Sequence, residues 1–140
     1  MKPLRETKDS LVLRTDFSDD AAWEAVCAAI QEPSEDGFTA CVECVSDPGY
    51  AGVTAERLAA LAGTGGSHAF VFLVDRETLS RPERPVLVVD LLEEPGRAFR
   101  VIPDAMWSIE NNLSLGNMDY DEFADAVDPD GVFRCFDESD

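Results

Sequence analysis

Four short apolar runs along the chain predict the strands of a sheet. They read LVLRT (residues 11–15), TACVECV (39–45), AFVFLVD (69–75) and VLVVD (86–90). The last two are almost continuously apolar, a pattern typical of strands that are covered on both faces. We therefore expect residues 69–75 and 86–90 to form the centre of the sheet.

A tight turn follows the fourth run. The tripeptide Glu94-Pro95-Gly96 favours a reversal of the chain, and a further apolar stretch begins soon after it. The segment VLVVDLLEEPGRAFRVI thus predicts a β-hairpin whose second strand covers residues 99–102. The later part of the sheet should then be antiparallel.

Between the strands, apolar residues recur at helical spacing. One helix carries them at i, i+3, i+4 and i+7, namely Trp23, Val26, Cys27 and Ile30. Ser18 precedes this helix as its expected N-cap. A second helix should begin after Thr54, another N-cap residue, and run to about residue 61.

The last third of the chain predicts two more helices. Asp104 is the expected N-cap of a helix that ends near Gly116. Asp119 and Glu122 have the spacing of a capping box. The helix that they would start has apolar residues at the helical period: Tyr120, Phe123, Ala124 and Val127. Beyond it, VFRCF (132–136) has room for a short strand.

These elements follow the order β-α-β-α-β-β-β-α-α, with an optional short strand at the end. Strands that alternate with helices favour parallel pairing and right-handed crossovers. The sequence therefore predicts a single small α/β domain with a mixed sheet over residues 11–136. A polar N-terminal tail (1–10) should precede it, and an acidic tail (137–140) should follow it.

The net charge of the chain limits the classes of molecule that it can bind. The 140 residues include 29 acidic and 11 basic side chains, a formal net charge of −18, and residues 104–140 contain 11 of the acids and one base. Phosphate backbones repel such a surface, so direct nucleic-acid binding is disfavoured. No apolar stretch is long enough to span a membrane, and the first residues lack the apolar core of a secretory signal. We expect a cytoplasmic protein without membrane contact.

The acidic segment suggests the leading function. Its negative field would attract a basic protein and speed their association at low ionic strength. The residues expected to bind this partner are Asp119, Asp121, Glu122, Asp125, Asp128 and Asp130. We thus expect a small acidic interaction or regulatory domain, for example an immunity-like or inhibitor-like protein, that has no enzymatic activity and needs no cofactor.

A second hypothesis concerns acids at strand ends. Asp16, Asp75 and Asp90 each follow a predicted strand. If the first and third strands are parallel, Asp16 and Asp75 lie at the same carboxyl edge, where open α/β sheets bind ligands. Carboxylates there could hold Mg²⁺ together with a substrate phosphate, as in a phospho-receiver domain. The hairpin leaves the direction of Asp90 open.

The four cysteines give weaker signals. Cys41 and Cys44 have the spacing of half a zinc site, but on a strand they would point to opposite faces. Cys27 lies on the apolar stripe of the first helix, and Cys135 lies near the C-terminal end. We expect neither a metal site nor a redox role for these thiols.

Several segments resemble a known family. They include LVLRTDFSDDAAWEAV (11–26), VLVVDL (86–91), FRVIP (99–103) and NNLSLGNMDYDEFADAVDPDGVFR (111–134). Together they resemble a domain family of unknown function found in actinobacterial proteins, over most of residues 11–136. The resemblance implies one complete domain and assigns no activity, ligand or catalytic residue.

Overall fold

A computed structural model of the chain describes residues 10–33, 37–62, 69–91, 94–115 and 118–134. Its centre is a six-stranded sheet in the order β2-β1-β3-β4-β5-β6. The strands are β1 (Ser10–Arg14), β2 (Val42–Val45), β3 (Phe70–Val74), β4 (Val86–Asp90), β5 (Ala98–Val101) and β6 (Val132–Phe133). The predicted tails fall outside the described residues, except for Ser10, which begins β1.

The sheet is mixed, as the sequence predicts. β1 pairs in parallel with both β2 and β3, whereas β3–β4 and β4–β5 are antiparallel and β5–β6 is again parallel. The predicted hairpin is therefore confirmed. Its turn contains Gly96 at φ +98°, where a β-carbon would be 3.6 Å from the side chain of Ala59. The positive φ favours glycine at the position, whereas the 3.6 Å separation is an ordinary van der Waals contact.

Five α-helices accompany the sheet in the described part of the chain. They are α1 (Asp20–Gln31), α2 (Ala55–Ala62), α3 (Arg76–Ser80), α4 (Met106–Leu115) and α5 (Tyr120–Ala124). Short 3₁₀ turns at Pro48–Tyr50 and Pro103–Ala105 precede α2 and α4. The element order agrees with the prediction, and α3 fills the short connection between β3 and β4.

The helices bury both faces of the sheet. On one face, Val12, Phe72 and Val88 pack against residues of α1, α4 and α5. On the other, Leu11 and Leu73 pack against Leu58 of α2. Successive strand residues point to opposite faces, so continuous apolar strands supply both layers of core at once. This explains the almost uninterrupted apolar runs.

The capping predictions are partly wrong. Asp19, not Ser18, is the N-cap of α1, and its side chain accepts a hydrogen bond from the Ala22 amide. Asp104 does not directly precede α4, because it lies inside the 3₁₀ turn that Pro103 begins. The capping-box prediction at the start of α5 is confirmed, with the Asp119 amide donating to the Glu122 carboxylate at 3.3 Å.

Candidate functional site

The carboxyl edge of β1 and β3 is the first candidate site. These strands are adjacent and parallel, and the helices that follow them, α1 and α3, pack on the same face of the sheet. The carboxyl ends of parallel strands are where open α/β sheets bind ligands. Asp16 follows β1 and Asp75 follows β3, so both lie at this edge, as the sequence predicts for parallel strands.

Asp75 is held by its own chain. Arg100 on β5 donates to both carboxylate oxygens, at 3.0 and 2.8 Å, and the Thr78 amide donates to Oδ1 at 3.1 Å. Burial opposes ionisation of Asp75, but the hydrogen bonds from Arg100 and Thr78 outweigh it and lower the pKa of this carboxyl. The carboxylate therefore serves as the N-cap of α3 and as the partner of a largely buried arginine.

Asp16 is less enclosed. Its Oδ1 accepts hydrogen bonds from the hydroxyl and the amide of Ser18, which lower the pKa of the Asp16 carboxyl. Arg76, the first residue of α3, lowers the pKa of Asp16 further by a smaller electrostatic contribution. Ser18, the residue expected to cap α1, thus stabilises the turn that precedes the helix.

Asp90 lies at the opposite edge of the sheet. β4 runs antiparallel to β3, and Asp90 pairs with Phe70, the first residue of β3. Its buried carboxylate accepts a hydrogen bond from the Glu94 amide at 2.9 Å. The three strand-end acids therefore do not converge. Among the residues described, no group of three or more His, Cys, Asp or Glu side chains is arranged to hold a metal ion.

A buried arginine adjoins the Asp16 turn. Arg14, only 4% exposed, donates from Nε to the Asp16 carbonyl and from its terminal nitrogens to Ser46 and Asp20. Its guanidinium also lies 4.5 Å from the centre of the Phe17 ring. In the sequence, Arg14 stands out only as a charged residue inside an apolar strand. Its aromatic and polar partners could not be deduced from that position.

The second candidate site is an acidic surface. We use this name for Asp119, Asp121, Glu122, Asp125, Asp128 and Asp130, all of which are exposed. The apolar residues of the same segment point the other way: Tyr120 and Phe123 are buried, and the Phe123 ring packs edge-on against Phe133 with ring centroids 5.3 Å apart. The segment therefore separates a core side from a charged side.

Two arginines each pair with two carboxylates of this acidic surface, and a third, Arg81, lies 3.6 Å from the Asp130 carboxylate. Arg97 pairs with Asp121 and, at 4.0 Å, with Asp125. Arg134 pairs with Asp128 at 2.7 Å and with Asp130 at 2.8 Å. The bonds from Arg134 lower the pKa of the Asp130 carboxyl to about 2, so this group stays ionised at neutral pH. Sequence analysis missed all three arginines as partners of these acids.

The three described cysteines differ in exposure. Cys41 is exposed and precedes β2, and its amide donates to the buried Glu110 carboxylate at 2.9 Å. Cys44 lies on β2 and Cys27 lies on α1, and both side chains pack against the same core cluster. Cys135 lies outside the described residues.

Comparison with known proteins identifies the chain only at the level of a family. The model of a family described as Domain of unknown function (DUF6924) matches residues 9–136. A search of the curated proteins finds no match to the chain. In the described ranges, none of the helices has the length and apolar character needed to cross a membrane.

Proposed function

The chain belongs to the DUF6924 family, and because that family has no known function, we propose one from the surface of this member. The domain is a non-enzymatic interaction or regulatory module that binds a basic protein through its acidic surface. An inhibitor-like or immunity-like protein that acts in the cytoplasm is one form of this function. Nucleic acid, membrane and cofactor play no part in the proposal.

The observation that carries the proposal is an excess of exposed carboxylates around few arginines. Arg97 is shared by Glu94, Asp121 and Asp125. Arg134 is likewise shared by three carboxylates, those of Glu83, Asp128 and Asp130. Arg81 adds a longer pair to Asp130, at 3.6 Å, so three guanidinium groups face these six carboxylates and a net negative charge is left for an external cation.

These internal ion pairs are weak competitors for a partner. Asp121 is 59% exposed and Asp125 is 79% exposed, so water screens both of their pairs with Arg97. A lysine or arginine of a partner can replace Arg97 at either carboxylate without opening the core. The exchange then costs little, while the total field of the surface guides the encounter.

The frame beneath the acidic surface is rigid. Tyr120 anchors the start of α5 because its hydroxyl lies 2.9 Å from the Val88 carbonyl and 3.0 Å from the Arg97 carbonyl. Phe123 is completely buried. The carboxylates thus protrude from an ordered element, which reduces the entropy lost when a partner binds.

The test compares two charge-matched variants as baits. The first replaces four carboxylates of the acidic surface: Asp121→Asn, Asp125→Asn, Asp128→Asn and Asp130→Asn. The second replaces four exposed acids elsewhere: Glu24→Gln, Glu32→Gln, Glu56→Gln and Asp104→Asn. Both variants and the native protein are exposed to a lysate of the source organism at low and at high salt, after their folding is checked by circular dichroism.

We expect a basic protein to bind the native domain and the second variant at low salt, to be lost with the first variant, and to be released by high salt. Binding that survives high salt, or that both variants lose equally, would contradict the proposal. In the second case the partner would respond only to net charge.

A magnesium site at Asp16 and Asp75 is the second candidate. It is favoured by the parallel pairing of β1 and β3, which brings both residues to one edge. Arg100 already neutralises Asp75, which weakens this candidate. Millimolar Mg²⁺ should raise the melting temperature of the native protein but not of Asp16→Asn if the site exists, and an unchanged melting temperature would remove it.

A further inference from the structure

The two edges of the described sheet end in different ways. At the β6 edge, β5 bonds to the carbonyls of Gly131 and Phe133, so the main-chain groups of Val132 between them point away from the sheet. These groups are already bonded within the chain. The Val132 amide donates to the Asp130 carboxylate at 3.2 Å, and the Val132 carbonyl accepts from the Asp128 amide at 2.9 Å. A turn of the chain therefore closes this edge.

The β2 edge lacks such a turn. The Ser10 amide donates to the Cys41 carbonyl at 3.2 Å, and the register pairs Ser10 with Val42. Residues of a strand bond alternately to its two sides, so Glu43 faces β1, whereas the amides and carbonyls of Val42 and Cys44 point away from β1. β2 is the last strand on this side of the described sheet. Two donors and two acceptors thus have no neighbouring strand among the residues described.

We propose that the β2 edge is a strand-addition site, where an extended basic segment of another protein pairs antiparallel with Val42–Val45. In this mode of recognition, main-chain hydrogen bonds supply affinity and alternate side chains supply specificity. Asp128 and Asp130 of the acidic surface lie at the opposite edge, so the inference does not depend on that surface.

The side chains of β2 determine which segment fits. Those of Val42 and Cys44 are half-buried and pack on the face of the sheet that α1 and α4 cover. Glu43 lies between them and points to the other face. Cross-strand neighbours share a face, so the added segment should have apolar residues opposite Val42 and Cys44 and a basic residue opposite Glu43. The predicted pattern is apolar–basic–apolar.

A second copy of the chain fits this edge less well. Centred antiparallel pairing of two β2 strands would place the two Glu43 side chains directly opposite each other, and like charges in that position are destabilising. Each copy also carries a formal net charge of −18, so the copies repel each other. The same charge attracts a basic segment.

The test uses the peptide acetyl-Lys-Val-Lys-Val-Lys-amide and two N-methylated forms of it with the same charge. Methylation of both valine nitrogens removes the donors that would face β2. Methylation of the second and third lysine nitrogens leaves those donors intact, so this peptide is the matched control. Binding to the native protein is measured by NMR titration at low salt.

We expect the unmodified and the lysine-methylated peptides to bind, and the valine-methylated peptide to bind about tenfold more weakly, because it lacks two hydrogen bonds. Hydrogen exchange of the Val42 and Cys44 amides should slow when the unmodified peptide is bound. The acidic surface should show no comparable change.

A variant tests the same edge from the protein side. Val42→Pro removes the amide that points away from β1, and the first residue of an edge strand tolerates proline. We expect it to bind the peptide more weakly than Val42→Ala, which keeps that amide. Circular dichroism checks that both variants are folded.

Equal binding of the two methylated peptides would overturn the proposal, because the contact would then depend on charge alone. Binding that leaves exchange of the Val42 and Cys44 amides unchanged would overturn it as well. So would a dimer of the chain, detected by sedimentation velocity without peptide, that protects these two amides. These measurements use the native protein, so they decide the question even if Val42→Pro does not fold.

Discussion

Arg97, which precedes β5, and Arg100, which lies within it, bind acids in different ways. Arg100 is 17% exposed and binds Asp75, which is 28% exposed. Arg97 is 35% exposed and binds Asp121, which is 59% exposed. The residue types are the same and the positions are only three residues apart. The pairs differ in burial. The more buried Arg100–Asp75 pair holds elements together, whereas the carboxylate of the Arg97–Asp121 pair remains accessible.

The difference follows from what each carboxylate would meet if its arginine were lost. Asp75 would be left partly desolvated beneath α3, because water cannot fully replace Arg100 there. Asp121 would simply be hydrated, and exposed pairs of this kind contribute little to stability. The sheet edge near Asp75 therefore uses its acids for folding, whereas the acidic surface keeps its acids available for binding.

The largest expected effect is that of Arg100→Leu. It removes both hydrogen bonds to Asp75 and the bond to the Pro85 carbonyl, so we expect a loss of about 2 to 3 kcal/mol in the free energy of unfolding. Urea titration followed by tryptophan fluorescence measures it. The matched control, Arg97→Leu, should cost less than about 1 kcal/mol. Equal losses would mean that burial does not distinguish the two pairs.

The pH dependence of stability should sharpen the same contrast. The pKa of Asp75 is lower in the folded protein than in the unfolded chain. Ionised Asp75 therefore contributes its full stabilisation when the pH is above its unfolded pKa, which is about 4. That contribution is lost as the pH falls through the folded pKa. Asp75→Asn should therefore be less stable than the native protein at pH 7, and the gap should narrow at pH 3. A gap that is constant with pH would contradict this assignment.

Tyr120→Phe should have an intermediate effect. The hydroxyl of Tyr120 is shared between the carbonyls of Val88 and Arg97, and burial is the main reason that the pKa of Tyr120 is raised. Its removal leaves two carbonyls without this donor, which should cost about 1 kcal/mol in urea unfolding. No measurable change would show that water replaces the hydroxyl there.

The smallest expected effect on stability is that of Arg134→Gln, whose partners are all exposed acids. The change frees Asp128 and leaves Asp130 with only its 3.6 Å pair to Arg81, so the protein should require more salt to elute from immobilised polylysine. Arg57→Gln is the control, since it makes the same charge change at an exposed position of α2. If both variants elute at the same salt concentration, net charge alone determines retention.

Local sequence signals predicted much of this fold. The hairpin around Gly96 and the capping box of Asp119 and Glu122 each depend on a few adjacent residues, and both are confirmed. Local signals failed where two neighbouring residues were equally good candidates for the same N-cap position. Ser18 and Asp19 are both good capping residues, and only the turn at Asp16, which binds Ser18, decides between them.

The candidate sites depend on contacts between distant residues, which the sequence does not reveal. Arg100 and Asp75 are 25 residues apart, and Arg134 and Glu83 are 51 apart. The acidic surface could be predicted because its residues are contiguous, but its arginine partners could not.

The parallel pairing of β6 with β5 affects how the chain behaves during synthesis. Phe133, which covers Phe123, and Val132, which completes the hydrogen bonding of β5, come later in the chain than every other strand. A polypeptide that terminates before Val132 would display an unpaired strand and an uncovered aromatic ring. Such features promote aggregation and attract chaperones and proteases. Nonsense mutations a few codons upstream should therefore abolish the protein's accumulation in the cell.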